Sequence, residues 1–366
     1  ITRIALEMPT AMLAMFSTLK YVNAQTMDKF RAEWSAKYLD GFVVHNKAFD
    51  GMKGDFPIGF LIWKTDQNAK IKQHIDKIVS EVLDKNANAI GEKYFYHVPN
   101  EQLLTNWIKR PKTNKIDVIP LKNAITPATS KADLRGKKWS DDAIAFLWSK
   151  SNDMQHANQT ALFSSGFGDG HGVFINPENL WQGAIVFSVR GLIKPTWLND
   201  RDQFLQPTEP LSDEFKSDCL MWMLFNGSNL TASANDLEWN DKKWSIVNHF
   251  IPFTEKEVGA SERFESDFMV KYLKGKKLSV EAKAVLAEGK KLWQAYFSRT
   301  DEYSVRESLK LNRADVGWYQ VRKALEARNA DGGMANPVDF SAFKTAYDTL
   351  GDKLRPQVFE LGFLKD

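Results

Sequence analysis

Residues 12–65 read MLAMFSTLKYVNAQTMDKFRAEWSAKYLDGFVVHNKAFDGMKGDFPIGFLIWKT, and this stretch decides the fold class. Met12–Phe16 is a short apolar run with the character of a strand, and Ser17–Gln25 follows as a loop. Thr26 is placed to cap a helix in which Met27, Phe30, Trp34 and Tyr38 recur on one apolar face, with Gly41 ending it. Phe42–His45 then reads as a strand, Asp50–Asp55 as a glycine-containing turn, and Phe56–Trp63 as a second strand. Phe56, Ile58, Phe60 and Ile62 alternate only weakly with their neighbours, as in a strand buried on both faces, and are assigned to the core. The order strand–helix–strand–turn–strand suits the closing half of an α/β sheet with an antiparallel final hairpin.

Downstream the character changes. Ile71, Ile75, Ile78, Val79 and Val82 fall on one helix face. Strand-like runs from Tyr94 to Thr126 are broken by Asn and Pro, and Thr126 to Ser140 is polar, basic and expected to be exposed. Ala143 to Phe253 mixes Gly, Asn, Pro and aromatics without a sustained period, which predicts a loop-rich α+β region. Ser279 caps a helix expected to run to Phe297, and the remainder to Asp366 looks mainly helical. There is no internal repeat.

The chain has 366 residues, 43% of them hydrophobic, 26% charged and 12% aromatic, enough to bury two or three cores. No run approaches the ~20 apolar residues that span a bilayer, and no signal peptide is recognisable at the first residues. Ile1 opens in the middle of an amphipathic pattern, which is read as the start of an excised piece. Cys219 is the single cysteine, so internal disulfides and cysteine-built zinc sites are excluded. Its apolar neighbours predict a buried, inert thiol, and the expected location is cytoplasmic. A net charge of +3 and a pI near 8.6 permit a polyanionic partner without demanding one.

The segment 12–65 resembles the stretch of adenine-N6 DNA methyltransferases of the restriction–modification type that follows their catalytic Asn-Pro-Pro-Tyr loop. In that family a strand ends in a short Phe–Ser/Thr/Pro loop, a helix carries a Phe/Leu-Arg pair, and a strand–turn–hairpin closes the sheet. The matching parts here are Met12–Phe16, Phe30-Arg31, and Phe42 through Trp63. The phrases DRDQF (200–204), NHFIPF (248–253), EAKAVLAEGKKLW (281–293) and VFELGFL (358–364) extend the resemblance more loosely to the C-terminal regions of bacterial members. The resemblance implies a Rossmann-like methyltransferase sheet whose closing half is residues 1–66. It further implies an α+β target-recognition region over 67–260 and a mainly helical region over 261–366.

It also implies roles. An enzyme that modifies a base within a duplex must flip it out and hold it by stacking and edge hydrogen bonds. Phe49 occupies the place of the family's residue that stacks on the flipped adenine, and the competing reading tucks it under the hairpin. Lys20 and Lys53 flank the same expected sheet edge and are candidate phosphate contacts, as are Lys109, Arg110 and Lys112. A solvated surface is the plain alternative for each lysine. Arg201, within Asp200-Arg201-Asp202, is either a base- or phosphate-reading arginine or part of an internal ion-pair network. Further basic clusters at Lys131–Lys138 and Lys274–Lys277 are suitable sources of phosphate contacts or equally solvated faces, the latter being preferred for Lys274–Lys277, and Trp107, Trp139 and Trp148 interleave with the basic stretches.

Two requirements of the chemistry are missing. No Asn-Pro-Pro-Tyr or Asp-Pro-Pro-Tyr occurs, and no glycine-rich turn follows a long apolar strand to hold S-adenosylmethionine. Ser164–Val173 has the glycines without that context, and Asn176-Pro177-Glu178-Asn179 begins like the catalytic tetrapeptide and then departs from it. Both are read as surface loops. His249 is expected to be a hydrogen-bonded core histidine, and no histidine pair has metal-ligand spacing. The expected function is the DNA-binding and base-positioning portion of a site-specific adenine methyltransferase. Its partners would be double-stranded DNA and an upstream half that holds the cofactor, and it would be inactive alone. The alternatives are a non-catalytic DNA-binding or scaffold protein with a remnant of the fold, or a tryptophan-rich carbohydrate binder.

Overall fold

In a computed structural model the chain is described at residues 2–8, 10–66, 77–112, 140, 142–164, 171–239, 241–299, 313–327, 329–331 and 338–365. A first body is built from α1 (Thr2–Glu7), β1 (Met12–Thr18), α2 (Lys20–Asn23), α3 (Asp28–Glu33), β2 (Ala36–His45), β3 (Pro57–Thr65), β4 (Lys77–Leu83) and β5 (Ala89–Tyr96). Its sheet has the order β1-β3-β2-β4-β5. β3 runs antiparallel to both β1 and β2, which are therefore parallel to each other, and β4 is parallel to β2. Thr18 and Val44 both pair with Ile58, and Val44 also pairs with Leu83. The three parallel strands thus end at one edge of the sheet.

The expected strand at Met12 and the antiparallel hairpin are present, but the helix between them is shorter than its periodicity implied. α3 begins at Asp28 with no side-chain cap and stops at Glu33, where Trp34 turns extended. Tyr38 and Gly41 lie inside β2. The apparent helical period has a tertiary cause: Trp34 and Tyr38 pack on Trp63 with centroids 5.8 and 5.3 Å away, and Phe30 stacks on Trp34 at 5.2 Å. Residues from a helix and a strand converge on one indole. Gly41 follows a register shift in β2, and a Cβ there would sit 2.5 Å from the Phe60 carbonyl oxygen. It is a close-approach glycine within a strand, not a helix stop.

The expected helix over Ile78–Val82 is also replaced by a strand; Ile71 and Ile75 lie outside the described residues. In β4, Ile78, Ser80 and Val82 point inward while Val79 and Glu81 are exposed, the two-residue period of a half-buried strand. A division at residue 66 accordingly falls inside one sheet.

One face of that sheet carries the core of the first body. Leu61 and Trp63 of β3, Val43 of β2, Ile78 and Val82 of β4 and Phe95 of β5 pack against Ala5, Tyr21, Val22 and Trp34. Among the described residues the opposite face is open. Met12 is 68% and Phe16 53% exposed, and Phe42, Phe60 and Ile62 are only half-buried. β3 is therefore fully buried on one side and on the other only at Ile58, short of the two-sided expectation. The weak alternation arose because apolar residues occupy its outer face as well.

The second body joins short 3-10 turns at Asn100–Gln102 and Leu104–Asn106 to a four-stranded sheet and a helical layer. Its strands are β6 (Ala145–Ser149), β7 (Thr160–Phe163), β8 (Val173–Ile175) and β9 (Asn229–Leu230), in the order β8-β6-β7-β9. The helices are α4 (Leu180–Leu192), α5 (Asp213–Leu224), α6 (Glu255–Val258), α7 (Phe268–Leu273), α8 (Val280–Phe297), α9 (Trp318–Leu325) and α10 (Ser341–Glu360). A hairpin of β10 (Ala234–Trp239) and β11 (Lys242–Ile246) packs on a satellite cluster with Phe146 and Phe163. Residues of α4, α5, α8, α9 and α10 share one core, so a division at 260 falls inside it.

Helices α4 and α5 lie in the region read as loop-rich. α4 buries Gly183 through Arg190 without interruption, so it has no polar face to give a period. The fully buried Arg190 satisfies four groups, donating to Thr160 Oγ1 and to the carbonyls of Lys150, Ser151 and His156 at 2.8–3.0 Å. Ser279 caps α8 as expected, its Oγ accepting from the Ala282 N–H at 3.1 Å.

Candidate functional site

The edge where β1, β2 and β4 end gathers three of the residues singled out from the sequence. Lys20 opens α2 directly after β1, and Phe49 and Lys53 belong to the turn between β2 and β3. Outside the carboxyl ends of parallel strands is where open α/β sheets bind ligands. Lys20 and Lys53 are both exposed there.

Asn46 organises the turn. It is fully buried, and its Nδ2 donates to the Gly54 carbonyl at 3.1 Å while its Oδ1 accepts from the Phe56 N–H at 3.2 Å. Its backbone N–H donates to Phe56 O, and its carbonyl accepts from the Phe49 N–H, both at 3.0 Å. One asparagine therefore closes an eleven-residue turn, Asn46 to Phe56, with Gly54 at φ +94° completing the bend. On its outer side Lys47 donates to Asp55 at 2.5 Å and His45 Nε2 stands 3.4 Å from the same carboxylate. The Lys47 ammonium above all, with His45, holds the Asp55 carboxyl below the usual aspartate range. His45 in turn accepts the Lys47 N–H at Nδ1 and packs 5.1 Å from Trp197 of the second body.

Phe49 is half-buried. Its ring meets Phe16 edge-on at 5.4 Å, and Phe16 continues to Phe42 at 6.0 Å and Phe60 at 4.7 Å. The ring is thus neither sealed under the hairpin nor free: it is the end member of an aromatic row on the open face of the sheet. In the sequence Phe16 and Phe42 fall in expected strands and Phe60 among the expected core residues. Their common face becomes visible only once β3 is known to lie between β1 and β2.

The other candidates lie elsewhere. Lys109, Arg110 and Lys112 are exposed on the segment after the 3-10 turns of the second body, and Arg110 donates to the Gly172 carbonyl. Arg201 is 6% exposed. It pairs with Asp200 at 3.0 Å and donates to Gln155 Oε1 at 2.9 Å, while its carbonyl accepts from Asn23 Nδ2 at 2.8 Å. It takes the internal-network position of its two readings and helps join the bodies. Asp202, beside it, pairs with Lys93 of β5 at 2.6 Å.

The remaining motifs are structural where they are described. Asn176 and Asn179 are buried, each accepting the other's backbone N–H at its Oδ1, at 2.9 and 3.0 Å, so this segment is a built turn before α4 and not a surface loop. Residues 165–170 of the glycine-rich stretch lie outside the described residues, as do Lys131–Lys138 and Trp139. Cys219 is fully buried, and burial pushes its thiol well up. His249 accepts from or donates to Ser266 at 2.8 Å through Nδ1, and burial moves its imidazole down. Among the described residues no group of His, Cys, Asp and Glu could hold a metal ion, and no helix is long and apolar enough to cross a membrane. The connection after β1 (Leu19-Lys20-Tyr21) contains no glycine.

Comparison of the chain with protein-family models, with curated proteins and with solved structures gave no match.

Proposed function

We propose that this chain is the base-positioning and DNA-binding portion of a site-specific adenine-N6 DNA methyltransferase, completed by an upstream half that holds S-adenosylmethionine. The observation that carries the reading is the turn Asn46–Phe56. It presents Phe49 at the carboxyl edge of three parallel strands, beside an aromatic sheet face that nothing described covers. The order of the first three strands supports it too, since β3 returns antiparallel between the parallel β1 and β2, as expected of the closing hairpin in residues 12–65.

On this reading each group at the edge has a task. Phe49 supplies a π-face for an extruded adenine, held laterally by Phe16, and stacking of this kind contributes roughly 1–3 kcal/mol per base. Lys53 and Lys20 meet flanking phosphates, which orient the strand without reading sequence. The upstream half covers Met12, Phe16, Phe42 and Phe60, giving the sheet the second apolar contact that parallel strands require. On this reading the groups that accept the adenine amine belong to the upstream half.

The test uses the polypeptide of the complete reading frame, duplex DNA and radiolabelled S-adenosylmethionine. Label should enter N6 of adenine. Phe49→Ala should slow methylation far more than it weakens binding to a duplex with a mismatched target. A reading frame without an Asn/Asp-Pro-Pro-aromatic loop, or turnover unchanged by Phe49→Ala, would remove the proposal or the residue respectively.

A further inference from the structure

A cleft of about 450 Å³ opens between α4, α5 and the turn after α7, and neither the resemblance nor the sheet edge accounts for it. Its walls are aromatic and its charge is positive. Trp181 of α4 and Tyr272 of α7 line it, with Lys216 of α5 and with Lys276 and Lys277 of the turn. The Lys216 ammonium stands 5.3 Å from the Trp181 ring centroid, and that of Lys276 stands 4.5 Å from the Tyr272 centroid. Rings that hold ammonium groups over their faces position these cations without neutralising them. Asp213 offsets one charge by pairing with Lys216 at 3.2 Å. Among the described residues Lys276 and Lys277 have no carboxylate partner, so the cleft keeps an excess of two positive charges.

The turn that carries the lysines is itself fixed, with the Lys276 N–H donating to Leu273 O at 3.0 Å. Tyr272 has no hydrogen-bond partner for its hydroxyl among the described residues, and burial pushes that hydroxyl up, so it remains a donor at neutral pH. A volume of this size suits a small organic ligand. Uncompensated ammonium groups select an anion, and two aromatic walls select a flat ring system.

We propose that this cleft binds a nucleotide, its phosphate held by Lys276 and Lys277 and its base set against Trp181 or Tyr272. The nucleotide is either free or one unit of a nucleic-acid strand; the chemistry recognised is the same. The inference does not rest on the methyltransferase reading, because neither methyl transfer nor an upstream half enters it.

Two probes test it on the chain as it stands: adenosine monophosphate by calorimetry, and a fluorescently labelled single-stranded oligonucleotide by anisotropy, both at low salt. Each is measured with the wild type and with Lys276→Glu/Lys277→Glu, whose exposed positions should leave the thermal midpoint unchanged. At least one probe should bind, and the double variant should lose about tenfold or more of that affinity. Binding of the monophosphate assigns the cleft to a free nucleotide, and binding of the oligonucleotide alone assigns it to a strand. Tyr272→Phe should cost a smaller factor, by removing only the hydroxyl. Failure of both probes to bind, or equal binding by the double variant, would overturn the proposal and leave the methylation test untouched.

Discussion

Lys93 on β5 and Asp202 on the loop after α4 stand 2.6 Å apart and tie the first sheet to the second body. Burial is the larger influence on this carboxyl and pushes it up to about 6, although the ammonium beside it opposes the shift.

That value gives the joint a pH dependence of definite sign. Below the ordinary aspartate range the folded and unfolded chains both carry the proton. Between that range and about 6, the folded chain retains a proton that the unfolded chain has released, so stability falls as pH rises through this window. Relative to Asp202→Asn, which cannot titrate, the wild type should lose on the order of 2–3 kcal/mol between pH 4 and pH 7. Urea denaturation of both proteins across that range reads the difference, and parallel profiles would refute it.

The turn that carries Phe49 should depend on Asn46. Asn46→Ala removes the side-chain partner of the Phe56 N–H and of the Gly54 carbonyl, both part-buried contacts, at a cost of about 1 kcal/mol for each bond lost. Hydrogen exchange of the Phe56 amide should accelerate in the variant while that of Leu61 is affected only through global stability.

The aromatic row should be readable without any partner. Phe16→Ser removes the most exposed ring of the row from a face that no described residue covers, so its stability cost should stay near ~1 kcal/mol. Binding of a hydrophobic dye to the chain should drop. Undiminished dye binding would place the sticky surface elsewhere.

Gly289 sets two magnitudes against each other. Alanine in a helix interior gains ~1 kcal/mol over glycine, but a Cβ at 289 would lie 2.1 Å from Cε1 of the buried Phe225. That ring is hemmed by Phe253, Trp293, Trp318 and Phe343, with centroids 5.4 to 6.3 Å away. Overpacking, typically ~1–3 kcal/mol, should win, and Gly289→Ala should lower the thermal midpoint.

The parts legible in the sequence were those whose signal is local. Met12–Phe16, the Phe42–Trp63 hairpin and the Ser279-capped helix carry their own periodicity or caps. What escaped was decided by distant partners. Phe30, Trp34 and Tyr38 mimic a helix because Trp63, far along the chain, collects Trp34 and Tyr38, while Phe30 stacks on Trp34. Residues 78–82 form a strand because β2 and β5 flank them, and α4 is hidden by being buried all round. At the candidate site, Phe49 and Lys53 could be picked out by their turn, whereas Asn46 looked like any loop asparagine. Only the fold shows that its side chain bonds forward across the turn, to Gly54 and Phe56.

Among the described residues β1 also has a free side. Its hydrogen bonds within the sheet go to β3, and it forms the margin of the described sheet, with Met12, Ala14 and Phe16 alternating outward. A row of main-chain donors and acceptors beside apolar side chains is a template for another strand, whichever chain offers it. Produced in isolation, this polypeptide therefore carries its own seed for aggregation. Keeping it in solution becomes a question of what reaches that margin first.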